Sequence, residues 1–238
     1  MKKAIIVGAS SGIGKELALI LAENHYQVGI TGRRTELLNE LKQTNADAFC
    51  VSTFDVTDTE TISFHLEKLV AELGGLDLLF ISSGTGDFNE NLDFSIEKHT
   101  IDTNVLGFTC VAGWAFNFFE KQKHGHLAAI SSVAGIRGNR SVPSYNATKA
   151  FQINYLEALR QKAKHLKIPV TVTDIRPGFV ETTMAKGDGL FWVATVDKAT
   201  KQIFHALERK KKVVYITKRW WLVAKILKHI PPLIYDRM

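Results

Sequence analysis

Tyr145 and Lys149 stand four residues apart, and Ser132 lies thirteen residues before the tyrosine. On a helix, an i, i+4 pair shares one face. A phenol has an ordinary pKa of about 10, too high for a base near neutrality, and a neighbouring ammonium favours its ionised form. A serine hydroxyl can hold a substrate oxygen by a hydrogen bond while a phenol exchanges a proton with that oxygen. Together these residue types point to proton transfer at a carbonyl or alcohol oxygen. A Tyr-x-x-x-Lys pair alone is a weak signal, because five tyrosines in a lysine-rich chain produce one readily by chance.

A second group lies near the start. Gly8-Ala9-Ser10-Ser11-Gly12-Ile13-Gly14 follows the apolar run Ala4-Ile5-Ile6-Val7 and precedes a helical pattern that opens at Lys15. Glycines in a strand-to-helix turn let the backbone approach a pyrophosphate, and the helix N-terminus adds free N–H groups. The spacing is G-x-x-x-G-x-G rather than G-x-G-x-x-G. The next apolar run ends in Ile30-Thr31-Gly32-Arg33-Arg34. An acid there would bind the ribose 2′-hydroxyl of NAD, whereas arginine suits the 2′-phosphate of NADP. Gly32 takes the acid's place and Arg33 and Arg34 follow, so NADP(H) is expected over NAD(H). Asp55, in Asp55-Val56-Thr57-Asp58, either accepts from an adenine amino group or caps a helix starting near Thr59.

The elements that must position these residues read as alternating short apolar runs and longer helical patterns, the mark of a parallel α/β sheet. Strands are expected at 4–7, 27–31, 48–52, 77–82, 126–131, 170–175 and 213–217, with helices over Lys15–Asn24 and Tyr145–Lys164 among others. Leu76-Asp77-Leu78-Leu79-Phe80-Ile81 is apolar on both faces, as a central parallel strand requires. The expected fold is a single doubly wound, seven-stranded α/β domain over 1–217 with helices on both faces, plus an extension over 218–238. A length of 238 residues with 45% hydrophobic content suits one such domain. Cys50 and Cys110 are too few for a disulfide framework and lack metal-ligand spacing, so they read as buried small hydrophobes in a reducing compartment, with no metal site. The apolar run before Gly8 is too short for a targeting segment, and a cytoplasmic location is expected.

The formal charge of +6 is unevenly placed. Arg209–Met238 holds nine basic residues against the single acid Asp236, a net +8, while the remainder sums to −2. Within Lys218–Pro232, helical spacing gathers Trp220, Val223, Ala224, Ile226, Leu227 and Ile230 on one side and Lys218, Lys225, Lys228 and His229 on the other. Such a helix either lies on a membrane surface, with Lys210-Lys211-Lys212 adding attraction to anionic lipid, or packs on its own domain or a partner subunit. Nucleic acid is not expected. The segment 183–200 carries Met184, Leu190, Phe191 and Trp192 beside Gly187 and Gly189, and reads either as a hinged apolar lid or as a loop that tucks its aromatics inward.

Taken in order, Gly8–Gly14, Asn104, Ser132, Tyr145, Lys149 and Pro177-Gly178-Phe179-Val180-Glu181-Thr182 closely resemble the short-chain dehydrogenase/reductase family, in its branch of about 250 residues, over Met1 to Thr217. The resemblance implies a Rossmann-type, nicotinamide-dependent oxidoreductase acting on a small carbonyl or alcohol. Tyr145 would be the general acid/base and Ser132 would orient the substrate oxygen. Lys149 would bind the nicotinamide ribose and depress the Tyr145 pKa, and Asn104 would hold a water linking Lys149 to solvent. Ser10, Ser11, Gly12 and Ile13 would belong to the cofactor turn, with Ser10 and Arg33 sharing the 2′-phosphate and Arg34 beside them. Val56 and Gly84 would flank the adenine and ribose. Val180 and Thr182 would meet the carboxamide, with Pro177 and Gly178 shaping that wall. The chain departs from the family at Ile81-Ser82-Ser83-Gly84, where Asn-Asn-Ala-Gly is usual. A homo-oligomer, dimer or tetramer, would form through helices near 100–121 and 145–165, where Val111–Phe119 serves either an interface or the core. Two other readings stand beside the reductase. One is a membrane-peripheral reductase of a lipid-linked substrate, since similar tails occur on family members of that kind. The other is a nucleotide-sensing protein without turnover.

Overall fold

A computed structural model describes residues 1–185 and 190–237. Strands β1 (Lys2–Val7), β2 (Tyr26–Gly32), β3 (Phe49–Thr53), β4 (Leu78–Ile81), β5 (Gly125–Ile130), β6 (Val170–Pro177) and β7 (Val213–Ile216) form one sheet. Their order is β3-β2-β1-β4-β5-β6-β7, and every pairing is parallel. All seven strands fall within a few residues of the expected ranges.

Helices cover both faces because the central strands are apolar on both. In β4, Leu79 and Ile81 pack with α3 (Ile62–Leu73), α5 (Phe108–Gln122) and α6 (Pro143–His165), while Leu78 and Phe80 pack with α1 (Gly12–Glu23), α2 (Thr35–Thr44) and α7 (Val196–Glu208). Cys50 and Cys110 lie partly buried against the first of these cores, and burial pushes both thiols upward in pKa. Val111, Ala112, Ala115, Phe116 and Phe119 face that core too. Trp114 and Phe118 stack on each other at 5.3 Å, and Phe151 stacks on Tyr155 at 5.6 Å, all four only partly buried on the outer sides of α5 and α6.

After β3 the chain returns past β1 to start β4 on its other side. The carboxyl ends of β1 and β4 therefore part, and loops leaving them open a crevice where ligands bind in doubly wound sheets. Gly8–Ser11 leaves β1 at this end, Ser82–Gly84 leaves β4, Ser131-Ser132 leaves β5, and Gly178 follows β6.

Three boundaries differ from expectation. Helix α1 opens at Gly12 rather than Lys15, because Ser11 is still extended and its carbonyl already accepts from Lys15 N at 3.3 Å. Helix α7 starts at Val196, inside the expected lid. Thr195 caps it by accepting from Lys198 N, and Ala199, Thr200 and Ile203 are drawn into the core. The tail folds as α8 (Trp220–His229) and a single turn α9 (Pro232–Tyr235), broken at Ile230-Pro231 where proline cannot continue a helix. The expected hinge glycines Gly187 and Gly189 lie outside the described residues.

Candidate active site

Gly8 sits at φ +94°, and a Cβ there would meet Ser83 N at 2.6 Å, so only glycine lets β1 turn this close to the β4 loop. A Cβ on Gly14 would lie 2.0 Å from the Gly8 carbonyl oxygen, which packs the start of α1 onto the turn. The amides of Gly12 and Ile13 are left at the mouth of the crevice.

One cleft of ≈ 1710 Å³ runs from this turn to the tail. Of the expected residues it is lined at one end by Gly8, Ser10–Ile13, Arg33, Arg34, Asp55 and Val56, and further along by Gly84, Ser132, Tyr145, Lys149, Pro177, Gly178, Val180 and Thr182. Gly14 and Asn104 do not line it. Gly14 lies behind the turn, and Asn104 is fully buried behind Lys149 in a π-helical turn, Asp102–Gly107, between α4 (Phe94–Ile101) and α5.

The two arginines take different partners. Arg34, not Arg33, reaches the glycine turn: its Nη2 donates to Ser10 Oγ and Ser11 Oγ, each at 2.7 Å. Arg33 Nη1 is drawn instead to Asp55 Oδ2 at 3.3 Å. Asp55 Oδ1 accepts from Thr57 N at 2.9 Å, so its carboxylate closes a local turn and caps no helix. Burial would raise the Asp55 pKa, but bonds from Thr57 and the Arg33 charge outweigh it and hold the carboxyl below its ordinary value.

At the other end, Ser132 Oγ accepts from Ala134 N at 3.1 Å, and Pro177 O lies 3.4 Å away. Lys149 is buried, and burial draws its pKa down to about 8 against the opposing pull of Asp174. Its Nζ donates to Ile130 O at 3.0 Å and to Gln152 Oε1 at 2.9 Å, and lies 5.7 Å from the Tyr145 ring centroid. The expected depression of the Tyr145 pKa is therefore not found. Burial raises it, and only the Ser132 hydroxyl opposes that rise. Beside the expected Asn104, a side chain links Lys149 to the π-helical turn. Gln152 Nε2 donates to Asn104 O at 2.9 Å while its Oε1 accepts from Lys149 Nζ. Asn104 itself brackets Thr85, accepting from its N at 2.9 Å and donating to its O at 2.7 Å. Sequence reasoning missed Gln152; its i+3 spacing from Lys149 was the available signal.

The β4 loop lacks the usual asparagine pair, yet Ser82 N and Ser83 N both donate to Val7 O at 2.8 Å, so the crevice wall is tied by backbone. Thr31 Oγ1 and Ser83 Oγ are buried beside the cleft with no partner of their own, which leaves polar groups for a ligand. The glycine cradle and these groups fit a dinucleotide. Met184, Leu190 and Phe191 form the apolar wall, joined by Trp220, Val223 and Leu227 from α8, whereas Trp192 packs behind it on Phe191 and Trp220 and does not line the cleft.

A doubly wound parallel sheet with a glycine-lined crevice at its switch point defines a Rossmann-type nucleotide-binding domain. The chain belongs to the short-chain dehydrogenase family, whose model, described as short chain dehydrogenase, matches residues 2–189. An uncharacterized oxidoreductase of Myxococcus xanthus is 35% identical over 189 residues, covering 77% of this chain and 74% of its own. The fold superposes on a short-chain dehydrogenase/reductase from Burkholderia phymatum in complex with NAD, with a TM-score of 0.84 at 18% identity, covering 94% of this chain and 92% of that one. It also superposes on ElxO with NADP bound, with a TM-score of 0.80 at 23% identity over 90% and 96% of the two chains. The protein is thus an oxidoreductase of a family that binds nicotinamide cofactors.

Proposed function

We propose that this oxidoreductase uses NADP(H) to reduce a carbonyl of an apolar small molecule to an alcohol, or runs the reverse reaction. The observation that carries the reading is the convergence of Ser132, Tyr145 and Lys149 on the cleft that the glycine turn opens. A bound nicotinamide dinucleotide would supply the hydride. The chain's own residues handle the oxygen and its proton. Ser132 has a long contact to Pro177 O and a bond with the Tyr145 phenol, and its hydroxyl can turn from them to donate to the substrate oxygen. Tyr145, kept protonated by burial, delivers the phenolic proton to that oxygen as charge develops on it. Lys149, anchored by Ile130 O and Gln152, would hold the nicotinamide ribose from the same cleft.

The cofactor preference rests on Arg34. A guanidinium resting on Ser10 and Ser11 at the glycine turn would suit a 2′-phosphate, and no acid competes for a 2′-hydroxyl at Gly32. Family members of this fold carry either nucleotide, as the NADP and NAD complexes above illustrate, so direct titration decides. NADPH binding followed by fluorescence should weaken roughly 10- to 100-fold in Arg34→Ala, the loss of a charge-assisted pair, with NADH binding unmoved. Arg33→Ala should change NADPH affinity less. Equal affinity of the unaltered protein for NADH and NADPH would refute the preference.

A further inference from the structure

The inner face of α8 is consumed by the domain. Trp220, Val223, Ala224 and Leu227 pack on Val133, Ile136, Phe179 and Tyr215. A Cβ on Gly178 would fall 1.9 Å from the Trp220 ring, so Gly178 is the seat that lets this ring settle. Arg137 then clamps the tail: its Nη1 donates to Ile230 O at 3.0 Å, and its guanidinium lies 4.2 Å from the Tyr235 ring centroid. Tyr235 Oη closes the clamp by donating to Gly138 O at 2.6 Å. Val223, Leu227 and Tyr235 thereby become part of the cleft rim.

The outer side is left with large apolar groups in water. Leu233 is 79% exposed, Ile226 54% and Trp221 48%, and Leu222 and Ile234 are exposed as well. Lys218, Lys225 and Lys228 stand exposed among them, with Lys225 Nζ 4.1 Å from the Trp221 ring centroid. A second copy of this tail would set the +4 of residues 218–238 against another +4, which disfavours self-association through this face. A wholly apolar partner would strand the lysines. An anionic bilayer satisfies both sets: acyl chains accept leucine and isoleucine, tryptophan suits the head-group level, and lysines meet lipid phosphate. No helix among the described residues is long and apolar enough to cross a membrane, so the contact would be one of lying on the surface.

We propose that α8 and α9 form a monotopic docking surface for an anionic lipid bilayer and set the cleft mouth at its head-group layer. If the reductase reading holds, the substrate is an amphiphile taken up at that layer. The test uses the full chain, sedimented with vesicles of phosphatidylcholine alone or mixed with phosphatidylglycerol. The chain should pellet with the mixed vesicles and remain in solution with the neutral ones. Lys225→Ala/Lys228→Ala should bind the mixed vesicles roughly 30-fold more weakly, at about 1 kcal/mol for each lysine. Ile226→Asp/Leu233→Asp should abolish pelleting. NADPH titration of the same samples confirms that each variant is folded and separates the two readings. NADPH binding without vesicle binding overturns the docking surface alone, whereas vesicle binding without NADPH binding overturns the reductase reading and spares the docking. Pelleting of the variants at the level of the unaltered protein overturns the proposal. So does a dimer in sedimentation velocity that Ile226→Asp/Leu233→Asp converts to monomer, since that outcome assigns the face to a second copy.

Discussion

At Tyr145 two influences oppose each other: burial favours the neutral phenol, and the Ser132 hydroxyl favours the phenolate. A neutral phenol suits a proton donor, which is the role reduction needs. Tyr145→Phe should lower turnover by 10²- to 10⁴-fold, the usual worth of a general acid, and leave NADPH affinity nearly unchanged. Turnover surviving in that variant would favour a nucleotide sensor over an enzyme of this mechanism. Away from the cleft, His126 is almost wholly buried, and burial is the main cause drawing its pKa to about 4. Thr173 spends its hydroxyl proton on Lys211 O at 2.5 Å, so His126 Nε2, 2.8 Å from that hydroxyl, is the donor. The folded state thus prefers the neutral ring. The unfolded chain takes up a proton first as pH falls below about 6.5, and stability drops from there until the folded ring also titrates near 4. The loss should reach about 3 kcal/mol at pH 4 and be absent in His126→Gln, as read by urea unfolding at pH 7 and pH 4.

Among the elements, α8 shows how little helical periodicity says about which side faces what. Spacing placed Ile226 with Trp220 on a single apolar side, yet Ile226 is exposed while Trp220 is 4% exposed. The arc that reaches Val133, Phe179 and Tyr215 is narrower than the apolar arc, so the residues beyond it remain in water. Trp220 makes ring contacts with Phe179 at 5.4 Å and Phe191 at 5.1 Å. Trp220→Ala should cost α8 roughly 3–5 kcal/mol of local packing. Because the tail touches the domain through this small cluster and the Arg137–Tyr235 clamp, the expected outcome is detachment of the tail and not global unfolding. Limited proteolysis would show early cleavage within 218–237 and a retained core. Co-cleavage of the core on the same time scale would instead place α8 within the cooperative fold.

For the whole molecule, the outer sides of α5 and α6 bear on assembly. Trp114 stacked on Phe118 and Phe151 on Tyr155 leave aromatic surface only half covered, on the two helices that the family resemblance assigns to the subunit interface. We therefore expect a homo-oligomer through this face. Sedimentation velocity should give a dimer or tetramer that Phe151→Glu shifts toward monomer. A monomer at every concentration would leave those aromatics as the edge of a monomeric core.

The sheet was legible in the chain itself. Short runs of Val, Ile, Leu and Phe cannot remain in water, and their lengths and spacing permit few arrangements other than seven parallel strands under two layers of helix. The types at Gly8, Ser132, Tyr145 and Lys149 were legible for a related reason, since an unusual backbone turn or a proton transfer tolerates few residue types. Which partner each polar group takes was decided by the tertiary structure alone. Arg34 displaced Arg33 at the serines because Asp55, brought over by β3, captured Arg33. Gln152 entered the Lys149 network because the π-helical turn presents the Asn104 carbonyl to it. The tail turned one face to the cleft and the other to water because a glycine after β6 left room for one indole ring. Hydrophobic burial follows local pattern, whereas hydrogen-bond partners depend on distances of a few ångströms between residues far apart in the chain.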